Sequence, residues 1–217
     1  MRKAFGYGGI VASVILIAFG IGAIVIGING RNEVQSSLAN EYIVGTPDMT
    51  PTAIKAAAKE AGLPGGLDYP TIAVAGKEID TGDEARAFAQ YMRIHALEAT
   101  QGLTYAQMGR FIAKPGTPAQ FKDKLGATND EKYALIDPTT KQPVENGRRN
   151  VWVTETALST ALNTSFFAER VALFSIVMGS ALLLTGIGFL VLTLGGALGL
   201  VPGFRRETKM TTASAAT

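Results

Sequence analysis

VALFSIVMGSALLLTGIGFLVLTLGGALGLV, residues 171–201, holds no charged side chain. A helix needs about 20 predominantly apolar residues to cross the hydrocarbon of a bilayer, so the stretch reads as a membrane-spanning helix. A second such stretch lies at residues 8–28. Between them is a polar segment with helical patterning. The expected fold class is therefore mainly α: two transmembrane helices with a small, mostly helical extracytoplasmic domain between them. The expected division is an N-terminal span over 1–30, an external domain over 31–169, a second span over 170–203 and a cytoplasmic, disordered tail over 204–217.

The first span starts from Met1-Arg2-Lys3 and leaves through AIVIGINGR (residues 23–31). A signal peptide has the same positive-then-apolar order, but a shorter apolar region and a small-x-small cleavage site. This exit has no good A-x-A, so the stretch reads as an uncleaved anchor. Orientation follows lysine and arginine near the span ends. Arg2 and Lys3 flank one side, and Arg205, Arg206 and Lys209 flank the other. Arg31 and Arg170 oppose them from the middle segment. The balance puts both termini in the cytoplasm, at a cell membrane, with residues 31–169 outside. Residues 29–169 carry 14 Lys/Arg and 17 Asp/Glu, a net of −3, unlike a typical cytoplasmic loop.

Both spans repeat small residues at four-residue spacing: Gly9/Ser13, Ala18/Gly22 and Ala23/Gly27 in the first, Ser175/Gly179 and Gly195/Gly199 in the second. Small residues on one face let two backbones approach closely in lipid. The spans are thus expected to pack on each other or on a partner subunit. Neither has an ionisable residue at its centre, which argues against a proton relay or ion path.

In the middle segment, Thr50 caps a helix with Pro51 at its first position, ending at Gly62. Residues 71–79 read as a short hairpin or an extended stretch. Thr81 and Glu84 form a capping-box pattern, predicting a helix from Gly82 or Asp83 to Gln101, stopped by Gly102. Ala85, Phe88, Met92, His95 or Ala96, and Ala99 fall on one face of it. Residues 114–147, rich in Pro, Gly, Asn and charge, read as a surface excursion. From Asn150 the pattern is helical and runs into the second span. One helix over about 152–201 would be about 75 Å long, more than twice the hydrocarbon thickness.

The chemistry-bearing residues are few. Cysteine is absent, which excludes disulfides, thiolate metal sites and a Cys nucleophile. A net charge of +2 without a basic block gives no support for nucleic acid. There is no G-x-S-x-G and no glycine-rich phosphate loop after a strand, so no cofactor is expected. The single histidine, His95, has Glu98 three residues on, within reach on one helical face. Asp83 and Glu84 are further carboxylates for a metal site, but no H-x-x-x-H spacing exists, and one histidine rules out a two-His-one-carboxylate iron centre. Asp83-Glu84 and Asp130-Glu131 read as solvated faces, and His95 as a packing residue. Asn163-Thr164-Ser165 matches the glycosylation triplet.

Two pieces of the chain carry a resemblance. One is residues 87–107, with HALEATQGLTYA (95–106) at its heart; the other is NTSFFAERVALF (163–174) and the Gly/Ala-rich span after it. Together they resemble a family of actinobacterial two-pass membrane proteins with a helical external segment and an Asn-x-Ser-Phe approach to the second span. Members are often labelled aromatic ring-opening dioxygenases. His95, Glu98 and Tyr105 fall on motif positions, and the motif brings no established catalytic role. The Ala-rich helix at 52–61 and the excursion at 114–147 depart from the family pattern and are where a partner surface is expected.

The resulting expectation is a non-enzymatic membrane protein, an accessory or scaffold subunit of a bacterial cell-envelope or respiratory complex. Its partners would be the lipid bilayer and other membrane subunits or a second copy. The alternatives are a sensor or ligand-binding module, with a pocket between the helix at 83–101 and the helix leading to the second span, and an enzyme using His95 with Glu98 and Tyr105.

Overall fold

The structure, a computed structural model, describes residues 2–197. It is mainly helical: α1 (Arg2–Ala39), α2 (Pro51–Glu60), α3 (Gly82–Ala99), a two-stranded sheet of β1 (Phe111–Ile112) and β2 (Ala127–Thr128), and α4 (Gly147–Leu192). A π-helical turn, Thr193–Ala197, ends the described chain. The expectations for Gly199 and for the tail from 204 fall outside the described residues. Contacts divide the chain into two compact units, one made of the residues up to 31 and from 171, the other of residues 32–170.

In the first unit α1 and α4 run antiparallel. Both are long and apolar enough to cross a membrane. Their buried positions recur every seven residues: Gly6, Ser13, Gly20 and Gly27 on α1, and Ala172, Gly179 and Gly186 on α4, with Thr193 next in register. A seven-residue period is the pattern of helices that wind around each other with a left-handed twist. Glycine sets the closeness. A Cβ at Gly20 would lie 2.6 Å from the Leu183 backbone nitrogen, and one at Gly179 would lie 2.7 Å from the Gly20 carbonyl oxygen. Gly27 meets the Ala172 carbonyl oxygen in the same way at 2.6 Å. The contact between α1 and α4 follows this seven-residue period, and of the four-residue pairs read from the sequence Gly9/Ser13 faces it, Ser13 being buried and a Cβ at Gly9 meeting the Thr193 side chain. Gly27, Gly179 and Gly195 are buried and Ala23 and Ser175 half-buried, but Ala18 is exposed and a Cβ at Gly22 would meet nothing within 4 Å. Hydroxyls in these helices donate back one turn: Ser13 to the Gly9 carbonyl (2.7 Å), Ser180 to Ile176 (2.8 Å) and Thr185 to Ala181 (2.7 Å). This satisfies them without water or a partner helix.

The second unit is built around α3. Thr81 caps it, its side chain accepting from the Glu84 backbone N–H. Thr100 ends it, and Gln101 and Gly102 turn the chain through left-handed φ values of 51° and 79°. The single apolar face expected of α3 is corrected. Ala87, Ala89, Tyr91, Ile94 and Leu97 are buried along with Ala85, Phe88 and Ala96, whereas Met92 and His95 are half-buried and Ala99 is exposed. The helix is wrapped rather than laid on a surface, because Leu38, Met49, Ile54, Ala58, Val74, Ile79 and Leu162 from the surrounding segments join the same core.

The 71–79 segment forms no hairpin. It returns to the strand-like residues after α1: Ile79 N–H donates to the Ile43 carbonyl (2.9 Å), Gly45 N–H to Lys77 (2.9 Å) and Gly76 N–H to Gly45 (2.8 Å). Gly45 is required there, since a Cβ would lie 2.0 Å from the Val74 carbonyl oxygen. The excursion at 114–147 is more ordered than its composition implies. β1 pairs antiparallel with β2, and bridges join Phe111 to Glu145, Ala113 to Ala134 and Ile136 to Pro143. Asp123 organises its turn by accepting from the backbone N–H groups of Gly109, Leu125 and Ala127 at 2.8–2.9 Å. The buried Asn146 donates to the Gly109 carbonyl (2.9 Å) and accepts from Arg148 N–H (3.2 Å), so it caps α4. That cap starts α4 at Gly147, earlier than its helical periodicity implies.

Candidate functional site

His95 lies on α3 with both ring nitrogens engaged. Nδ1 is 2.9 Å from Glu98 Oε2 on the same helix, and Nε2 is 3.3 Å from Asp48 Oδ2 in the turn before α2. Both contacts are N–H donations only when the ring is the imidazolium. Asp48 is itself placed by Thr46, whose hydroxyl donates to Oδ1 at 2.5 Å. That hydrogen bond, with a smaller contribution from His95, holds the Asp48 carboxyl below its ordinary range. Sequence reasoning missed Asp48 because it lies 47 residues before His95 and only the return of the 71–79 segment brings the two together.

The other residues that the sequence groups with His95 lie elsewhere. Tyr105 is exposed, and its ring stacks under the Arg149 guanidinium at 3.9 Å. Asp83 pairs with Arg170, and Glu84 accepts the Thr81 hydroxyl at 2.8 Å. Among the described residues no group of three or more His, Asp or Glu is placed to hold a metal ion. Asp48 and Glu98 sit on opposite nitrogens of the ring, so they do not converge on a point. The arrangement ties α3 to the turn before α2 through both ring nitrogens.

Because Asp48 has a depressed carboxyl, its contribution has a definite sign. It stabilises the fold above the unfolded value of 3.8, and is lost as pH falls through the folded value. In acid-unfolding curves, Asp48→Asn is expected to be less stable than the native chain at neutral pH and to converge with it as pH falls below 3.8. Parallel curves down to pH 2 would remove Asp48 from the bridge.

Two further polar networks are buried, and neither was singled out by the sequence. Glu155 on α4 is 2 % exposed; it pairs with Arg93 at 3.1 Å and accepts the Ser159 hydroxyl at 2.5 Å. Arg93 also stacks on Trp152, 4.7 Å from the ring centroid. Glu169, inside the NTSFFAER run, accepts from Gly82 N–H at 2.6 Å and from Gln35 at 3.2 Å. A carboxylate on the first N–H of α3 sits at the positive end of the helix dipole. With Arg170 paired to Asp83, this run grips the start of α3 through two consecutive side chains. The signal for Glu169 was that it is the one acidic residue in NTSFFAERVALF, residues 163–174.

A cavity of about 460 Å³ lies between α3 and the first turns of α4, lined by Met92, His95, Ala96, Val151, Thr154 and Glu155 among others. Its walls are largely apolar, and the one ring with acid–base capacity in it is already bridged. No family model, no curated protein and no solved structure matches the chain in comparisons with known proteins.

Proposed function

We propose that this chain is an integral membrane protein without catalytic activity, serving as an accessory or scaffold subunit of a bacterial cell-envelope or respiratory membrane complex. One observation carries the reading. Only 11 % of the most apolar run of α1 and 17 % of that of α4 is buried. Phe19, Val25 and Ile26 on α1, and Phe174, Val177 and Leu184 on α4, are all at least half exposed. An apolar surface of that extent is covered by lipid or by other apolar helices rather than by water. The occupied nitrogens of His95 support a structural rather than an enzymatic role for the HALEAT motif. Residues 32–170 are the extracytoplasmic domain in this reading.

The test is membrane fractionation followed by mild detergent extraction. The chain is expected to resist alkaline carbonate and to co-purify with other membrane subunits at fixed stoichiometry. Release by carbonate overturns the membrane reading; a chain that always runs alone overturns the subunit reading. Topology is read separately. The protein has no native cysteine, so Thr139→Cys, at an exposed turn, is a unique label. A membrane-impermeant maleimide is expected to reach it in intact cells. Labelling only after lysis places the domain in the cytoplasm.

A second reading, a sensor or ligand-binding module, is favoured by the apolar-walled cavity between α3 and α4. Binding of an apolar fluorophore that Thr154→Trp abolishes would support it.

A further inference from the structure

A cleft of about 570 Å³ opens between α3, the 68–72 segment and α4. Its wall carries two guanidinium groups on one aromatic ring: Arg86 lies 4.9 Å and Arg170 5.0 Å from the Phe166 ring centroid. Arg170 is paired with Asp83. Arg86 has no carboxylate partner among the described residues. Opposite charge is present as well, since Asp68 lines the same cleft and is held by Gln90, whose amide donates to Oδ2 at 2.7 Å. Arg170 is also the last charged residue before the uncharged stretch that begins at residue 171.

We infer that this cleft binds the headgroup of a zwitterionic aminophospholipid, its phosphate on Arg86 and its ammonium on Asp68. The inference rests on the membrane reading above. Arg86 lies over the Phe166 ring and makes no ion pair among the described residues, so its guanidinium fork is available for bidentate recognition of phosphate oxygens. Charge balance selects the headgroup. An anionic phosphoglycerol headgroup would gain Arg86 but offer Asp68 only neutral hydroxyls, whereas the ammonium of phosphoethanolamine gives Asp68 an opposite charge. Position selects the source, because interfacial aromatic and basic residues next to an apolar run meet lipid phosphates.

Native mass spectrometry of the full-length protein in detergent tests this, with added phosphatidylethanolamine, phosphatidylglycerol or inorganic phosphate. The native chain is expected to hold one phosphatidylethanolamine, at least about tenfold tighter than phosphatidylglycerol. Arg86→Gln should weaken that binding about tenfold, the loss of one charge-assisted contact. Asp68→Asn should abolish the preference between the two lipids while leaving phosphatidylglycerol bound. Arg148→Gln, an exposed cation outside the cleft, should change nothing. Circular dichroism checks that each variant is folded; these side chains are exposed and outside the core. Equal retention of the two lipids by the native chain, or full retention by folded Arg86→Gln, overturns the site. Inorganic phosphate competing at the lipid's own concentration reassigns the cleft to free phosphate and also overturns it. Carbonate extraction separates the two failures: a chain that stays in the membrane but shows no headgroup selectivity fails here alone.

Discussion

Replacing Gly20 with Leu is expected to force the two apolar helices apart and lower stability in detergent by about 3 kcal/mol. The cost is large because the new side chain meets backbone, not the flexible end of a neighbour. Its Cβ alone would lie 2.6 Å from the Leu183 nitrogen and 2.8 Å from the Gly179 carbonyl oxygen. Neither atom moves without shifting α4 along its length. Gly179→Leu should have the same effect from the other side. The control is Gly22→Leu, two residues away in sequence, where nothing lies within 4 Å of the added carbon. It should not lower stability, since Leu also forms helix better than Gly. Unfolding in mixed micelles measures all three. A large loss at Gly22 with tolerance at Gly20 would mean that α1 packs through its four-residue small-residue repeat, against something other than α4.

Tyr91→Ala is expected to cost about 4 kcal/mol and to unfold the domain at residues 32–170 under mild denaturant. Tyr91 has no exposed surface and sits at the middle of α3 among the core side chains. Truncation removes a whole ring from a wall that cannot collapse inward, because the helix is contacted on most sides. Tyr91→Phe is the milder companion. It deletes only the hydroxyl, which donates to the Ile72 carbonyl at 3.0 Å, and should cost about 1 kcal/mol. The two variants also differ in alkali. Burial raises the Tyr91 phenol above its ordinary value of 10.0. A group raised in the folded state gives stability that is complete below its unfolded value and lost as pH climbs through the folded one. Native protein should therefore weaken above about pH 10, and the Phe variant should lose that limb. Urea midpoints measured from pH 8 to 11 decide it; identical slopes would show that Tyr91 ionises as freely folded as unfolded.

The caps and stops of α2 and α3 were legible because they are local. Thr50 before Pro51 and Thr81 before Glu84 act within one turn, so spacing alone identifies them. The same holds for the left-handed turn at Gly102. The sheet of β1 and β2 was not legible: two-residue strands carry no alternation, and their pairing depends on Asp123 gathering three backbone N–H groups. Nor was the site. His95 and Glu98 are neighbours on a helix and were paired from sequence. Tyr105 belongs to the same motif yet stacks on Arg149, because the turn at Gln101 and Gly102 carries the chain away from α3.

What the sequence determined by itself is the apolar length of the two long helices and the local starts and stops of the helices between them. Those features depend on hydrophobic transfer and on hydrogen bonds that reach no further than four residues. The tertiary structure decided which glycines bring the helices together, which acid bridges His95, and how Glu169 and Arg170 grip α3. Each of these is a contact between residues far apart in the chain. The stretch that begins at residue 171 is apolar enough to cross a membrane by composition alone, but it packs at Gly179 and Gly186 only because α1 presents Gly20 and Ile17 opposite them.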